Sequence, residues 1–128
     1  MKLYTLDNQF IKECKNVPRD FTGIGVTVTG TLYWYLDSRL HRTDGPAVEC
    51  PDGSKFWYFN GKQHRIDGPA IENSDGIKRW FLNGKRHRID GPAVEYPDGA
   101  KEWFINNKSI LEIEQKLLVS IMKLKGSC

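Results

Sequence analysis

Apolar and polar positions through the middle of the chain repeat with one period. Trp34, Trp57, Trp80 and Trp103 stand 23 residues apart, and so do His41, His64 and His87. Asp-Gly-Pro-Ala recurs at 44–47, 67–70 and 90–93, Asp-Gly at 52–53, 75–76 and 98–99, and Lys at 55, 78 and 101. No insertion breaks the register. Three full units cover 34–102, and a fourth starts at Trp103 and then decays. A fixed period of this length marks stacked units, each too small to bury its own apolar face.

Each unit carries two turn signals. Asn60-Gly61 and Asn83-Gly84 are the strong copies of the first, with Asp37-Ser38 and Asn106-Asn107 as weaker ones. A type I′ hairpin turn needs φ > 0 at both central residues, and Asn-Gly supplies it. The second signal is Pro51-Asp52-Gly53, matched by Ser74-Asp75-Gly76 and Pro97-Asp98-Gly99. Here Gly takes the left-handed position of a three-residue hairpin loop. Alternating turns imply alternating strands, so the pattern predicts a mainly β fold: a continuous antiparallel meander with two strands per unit. The turns also set the pairing. Trp57 should face His64, Tyr58 Gln63 and Phe59 Lys62, while Glu49, Glu72 and Glu95 should face Lys55, Lys78 and Lys101. Strict alternation places Trp57, Phe59, His64, Ile66 and Ala47 on one face and Phe56, Tyr58, Val48 and Arg65 on the other. A bulge in the His-Arg-x-Asp-Gly-Pro stretch would shift half of this assignment.

The flanks differ. Residues 1–24 lack the period, and 25–30 read as a leading strand, so 1–30 form an N-terminal flank and 31–108 the repeat sheet. At the other end, Ser109 and Glu112 resemble a capping box ahead of an apolar stripe of Ile110, Ile113, Leu117, Ile121 and Leu124. The spacing predicts an amphipathic helix over 109–125 that covers the open end of the last repeat, with Lys116, Lys123 and Lys125 on its solvated face.

Composition narrows the class. The chain has 128 residues, enough for one domain with a modest core. Its formal charge of +3 does not by itself argue for nucleic acid. No apolar run approaches ~18 residues, so no membrane span is expected. Residues 1–7 have no long apolar stretch and do not read as a signal peptide. Cys14, Cys50 and Cys128 share no metal-like spacing and read as free thiols of a cytoplasmic protein.

The core Trp-Tyr-Phe-Asn-Gly-Lys-Gln-His at 57–64, its copy at 80–87, and the extension His-Arg-Ile-Asp-Gly-Pro-Ala at 64–70 and 87–93 resemble the MORN repeat. The likeness is closer to the variant of bacterial, phage and giant-virus proteins. It covers about two thirds of the chain. Arg42, Arg65 and Arg88 replace the Gly of the usual His-Gly pair, so ligand habits of the ordinary repeat do not carry over. The resemblance implies an elongated, curved sheet that serves as a scaffold or binding surface, and it brings no catalytic residues.

Several residues invite a functional reading. Histidines 23 residues apart should lie two strands apart, roughly 9–10 Å, whereas zinc ligands sit within about 2–2.3 Å of the metal. His41, His64 and His87 are therefore expected to pack beside tryptophan and bond the backbone, with no metal or other cofactor implied. Arg65 with Asp67 reads as a salt bridge in a turn, and Glu49 with Lys55 as a cross-strand charge pair. No nucleophile with a base, paired carboxylates or phosphate loop is present, so the expectation is binding without catalysis. Candidate binding residues are Arg42, Arg65 and Arg88, with Tyr35, Tyr58, Phe81, Trp57 and Trp80, because aromatics with Arg are the usual chemistry of protein interfaces and of stacking on bases. The viral flavour of the repeat points to an accessory protein that binds and inhibits a host protein, for example a defence nuclease such as a CRISPR effector. A nucleotide or nucleic-acid binder, an antitoxin-like neutraliser of a toxin, and a dimer through the C-terminal helix are the alternatives.

Overall fold

The turn chemistry read from the sequence is what the backbone adopts. In the computed structural model, which describes residues 1–126 and helix side chains as far as Leu124, Asn60 and Gly61 have φ of 49° and 78°, repeated at Asn83 and Gly84. The weaker signals do the same, with 48° and 63° at Asp37 and Ser38 and 48° and 67° at Asn106 and Asn107. Paired left-handed residues are the mark of type I′ turns. In the second turn, Gly53, Gly76 and Gly99 have φ of 93°, 94° and 91°. The Asp before each glycine accepts a backbone N–H two residues on, as Asp52 does from Ser54 at 2.8 Å. That Asx bond pins the loop.

These turns join short antiparallel strands into a sheet of twelve. From edge to edge, eleven of them run Phe10–Glu13, Lys2–Tyr4, Gly23–Val26, Leu32–Leu36, Val48–Glu49, Lys55–Phe56, Ile71–Glu72, Lys78–Arg79, Val94–Glu95, Lys101–Ile105 and Lys108–Ile110. Arg39–Leu40 pairs beside Leu32–Leu36. The pairs Tyr58–Phe59 with Lys62–Gln63, and Phe81–Leu82 with Lys85–Arg86, form separate Asn-Gly hairpins. The predicted register holds: Tyr58 faces Gln63, Phe59 faces Lys62, and Glu49, Glu72 and Glu95 face Lys55, Lys78 and Lys101. His64 donates its N–H to Trp57 O at 3.1 Å, which completes that pairing.

Within each unit the same backbone bond returns. Trp34, Trp57 and Trp80 each donate a backbone N–H to Ala47, Ala70 and Ala93 at 2.8 Å. These three alanines are fully buried, and beside them Val48, Ile71 and Val94 are buried as well. The core is therefore two rows of small and β-branched side chains, thin but continuous. Side chains with little rotamer freedom lose little entropy when ordered in such rows.

The N-terminal flank is more regular than its missing period suggests. Lys2–Tyr4, Phe10–Glu13 and Gly23–Val26 belong to the same sheet. Cys50 donates to Ser54 O and Gly53 to Cys50 O around the Pro-Asp-Gly loop. Thr27, Thr31 and Gly30 repeat this pattern, and so do Thr5, Gln9 and Asn8. The leading strand is Gly23–Val26, earlier than the predicted 25–30, because Gly30 (φ 93°) forms the turn.

The helix α1 spans Glu112–Gly126. Its start differs from the predicted one. Ser109 lies in a strand and faces Phe104, because the Asn106-Asn107 turn closes a fourth hairpin before the helix begins. The fourth unit thus completes its hairpin instead of decaying. The predicted stripe does not dock: Ile113, Leu117, Ile121 and Leu124 are all exposed. α1 is held instead by a polar side chain, Gln115. Lys116 and Lys123 are exposed as expected.

Gly61→Ala puts a side chain at a left-handed residue. It should destabilise the protein by about 1–2 kcal/mol, read as a lowered midpoint in urea unfolding, whereas Gly45→Ala, where φ is not left-handed, tests packing instead.

Candidate binding grooves on the tryptophan face

The residues between His64 and Ala70 leave strand geometry, and this decides where Arg65 goes. The second hairpin ends at Gln63. Strict alternation put Arg65 on the face opposite Trp57. Its guanidinium instead lies 3.8 Å above the Trp57 ring. Nε donates to Asp67 at 3.0 Å, and Nη1 donates to Pro69 O at 3.1 Å and Glu72 at 3.2 Å. Arg42 and Arg88 make the same set over Trp34 and Trp80, with Asp44, Pro46 O and Glu49, and with Asp90, Pro92 O and Glu95. Glycine is required beneath. A Cβ on Gly68 would fall 2.9 Å from Arg65 Cζ, and one on Gly91 2.6 Å from Arg88 Cζ.

This arrangement explains the motif. Asp, Gly and Pro in Asp-Gly-Pro supply a carboxylate, a clear space and a carbonyl to one arginine, and Glu five residues after the Asp supplies the second carboxylate. The glutamates, although in backbone register with lysines, give their carboxylates to arginine. Stacking and charge-assisted bonds of this kind suit a planar fork and not an ammonium.

The histidines join units. His41 Nδ1 accepts the N–H of Asn60 at 3.0 Å, His64 that of Asn83 at 3.0 Å, and His87 that of Asn106 at 3.1 Å. Each imidazole thereby anchors the turn of the next unit, Asn60-Gly61, Asn83-Gly84 and Asn106-Asn107 in order. Phe59 packs between His41 and His64, with ring centroids 4.4 and 5.9 Å away. Among the described residues no three of His, Cys, Asp and Glu come together to hold a metal ion.

Between successive arms the Trp face is furrowed. One groove of about 700 Å³ lies between the Arg42–Gly45 arm and Trp57, Phe59 and His64. Its counterpart of about 530 Å³ lies between the Arg65–Pro69 arm and Trp80, Leu82 and His87. A smaller one of about 350 Å³ sits by Trp34, His41 and Leu6. The two larger grooves carry exposed apolar side chains beside exposed carboxylates: Phe59 is 42% and Ile66 86% exposed, next to Asp44 and Asp67. In the fourth position the chain supplies its own occupant. Gln115 of α1, 5% exposed, donates both amide hydrogens, to Ile89 O and Gly91 O, at 2.6 Å each.

The candidate residues are thus divided. Trp57 and Trp80 floor grooves, and Arg42, Arg65 and Arg88 line them with their polar groups already engaged. Tyr58 and Phe81, one position from the tryptophans, line neither large groove. Tyr35 lines the smallest, with its ring against Phe21 and Tyr33, and burial raises its phenol above the usual range, with Tyr33 adding to it. Phe59 and Ile66, placed on the Trp face by the sequence but not among its candidate binding residues, and Gln115 are the additions the structure makes. Ile66 in an otherwise repeated polar arm was the available signal; Gln115 had none, being one polar residue on a helix.

Burial, and secondarily Asp52, raises the Cys50 thiol above its usual range. Cys14 is half-buried and free like Cys50, and Cys128 lies outside the described residues.

Arg65→Lys keeps the charge but loses the fork and the ring stacking. It should cost about 1–3 kcal/mol, measured by denaturant unfolding. The Arg42 guanidinium, first by hydrogen bonding and then by charge, holds the Asp44 carboxyl below the usual range. A depressed folded value means that this stabilisation is complete above the unfolded value near ~3.9 and is lost as pH falls through the folded one. The melting temperature should therefore drop on acidification below about pH 4, and less steeply for Asp44→Asn. Comparison of the chain with protein-family models, with curated proteins and with solved structures finds no match in any of the three.

Proposed function

We propose that this chain is a non-catalytic binding protein that seats a protein partner on its Trp face and blocks it, in the manner of a viral-type accessory inhibitor. The observation that carries this reading is the row of like-built grooves, each floored by Trp and His, with exposed Phe59 and Ile66 on the first, and with Ile66 and Leu82 on the second. Exposed aromatic and aliphatic side chains around half-buried tryptophans suit a desolvated protein contact. A row open along one side suits an extended partner better than a small molecule, which is normally enclosed by its pocket.

The arginine rows argue against nucleic acid as the first choice. Each guanidinium has one face on a tryptophan and its Nε and Nη1 bonded within the fold. Gripping a phosphate would compete with those bonds. The inhibitor role, with a host protein as target, rests on the resemblance to viral MORN-type repeats; an antitoxin would use the same surface.

Immobilised protein should capture one stoichiometric protein partner from bacterial lysate that survives high salt. Ile66→Asp and Phe59→Asp should each reduce capture at least about tenfold, as loss of an interface anchor does, while Val28→Asp, at a fully exposed N-terminal turn, leaves it unchanged. Capture of nucleic acid that is released by salt, or turnover of a substrate, would overturn the reading.

A further inference from the structure

The last repeat shows how this surface is read, because α1 lies on it. Gln115 bridges two carbonyls of the Arg88 arm, Ile89 O and Gly91 O. Its amide nitrogen has two hydrogens, and each goes to one carbonyl, so the buried donor is fully satisfied. The isoleucine at that site is partly shielded: Ile89 is 36% exposed, against 86% for Ile66 one repeat earlier.

The two preceding arms have the same construction. Arg42, Arg65 and Arg88 hold their arms by the same three hydrogen bonds, at distances that agree within 0.2 Å. The carbonyls of Thr43 and Gly45, and of Ile66 and Gly68, are therefore presented as those of Ile89 and Gly91 are. Among the described residues none of these four accepts a hydrogen bond. They border the grooves of about 700 and 530 Å³.

We infer that these two arms bind a helix of the protein partner through a buried Gln or Asn side chain. Its carboxamide donates to Ile66 O and Gly68 O, or to Thr43 O and Gly45 O, while apolar residues one turn away cover Ile66 and Phe59. A carboxylate in that position would meet two carbonyl oxygens without a donor, so Glu and Asp are excluded electrostatically. This selectivity is a property of backbone carbonyls held at fixed spacing, and it persists whatever side chains line the groove. The inference rests on the reading of the Trp face as a protein-binding surface and specifies the partner's recognition element.

The test uses the full chain, isotopically labelled, and a synthetic peptide of residues 109–126 as the helical probe. The wild-type peptide should bind and shift the carbonyl-carbon resonances of Thr43, Gly45, Ile66 and Gly68. The peptide with Gln115→Glu should bind at least about tenfold more weakly, in line with the loss of charge-compatible hydrogen bonds. Ile66→Asp in the full chain should remove binding while its circular dichroism stays unchanged. Absence of binding, equal binding of both peptides, or shifts confined to Ile89 and Gly91, which signify exchange with the chain's own helix, would each overturn the inference. So would a single-stranded oligonucleotide that shifts the four carbonyls when the peptide does not. If the peptide fails but lysate capture of a protein is still lost in Ile66→Asp, the helix is wrong and the binding surface stands. If neither responds, the surface itself is wrong.

Discussion

An arginine held between a tryptophan ring and a glycine is the interaction on which this fold depends. The guanidinium of Arg65 stacks 3.8 Å from Trp57 and lies so close to Gly68 that a Cβ there would come within 2.9 Å. It ties together a turn carboxylate, a loop carbonyl and a strand glutamate. Without it, the stretch from His64 to Ala70 would have no internal hydrogen bonding to fix its path, and Pro69 lacks an N–H to offer. The same cluster in three copies makes three identical arms. Each arginine is partly shielded by its tryptophan, so its pair with the half-buried glutamate is screened less than a free surface salt bridge, while the aspartate of each cluster stays exposed.

Between units the links are of another kind. A histidine nitrogen takes an N–H of the next unit's turn, the backbone N–H of Arg42, Arg65 and Arg88 meets the carbonyl of Tyr58, Phe81 and Phe104, and Val48, Ile71 and Val94 continue the apolar row. Each unit therefore touches its neighbours and little else, so stability is close to a sum of unit and interface contributions. The two ends need different treatment. At the N-terminal end the repeat is extended by strands that copy the loop hydrogen bonding without the repeat's sequence. At the C-terminal end a helix is fastened to the last arm by one carboxamide, which leaves its apolar stripe outward.

This division of labour bears on function. Tryptophan and arginine, the residue types that most often dominate protein interfaces, are here consumed by the architecture. What is left for a partner lies on the rims: Phe59, Ile66 and the carbonyls of the arms. Repetition brings several copies of one modest site into a line, and a row of weak contacts gains by being engaged together.

The turns, the strand register and the mainly β class were legible in the sequence, because Asn-Gly and Asp-Gly dictate backbone angles locally and a period of 23 residues copies them. The Trp–His and Glu–Lys register followed from counting across turns that tolerate no slip. Where the arginines point was decided in three dimensions: the chain leaves the pleat after Gln63, so parity no longer governs Arg65, and the cluster assembles from residues up to fifteen positions apart. The start of α1 was settled the same way, since pairing across Asn106-Asn107 claims Ser109 for a strand before it can cap a helix. Gln115 and the grooves belong wholly to the tertiary structure, because a backbone carbonyl has no letter in the sequence, and its availability depends on which other groups the fold has already brought to it.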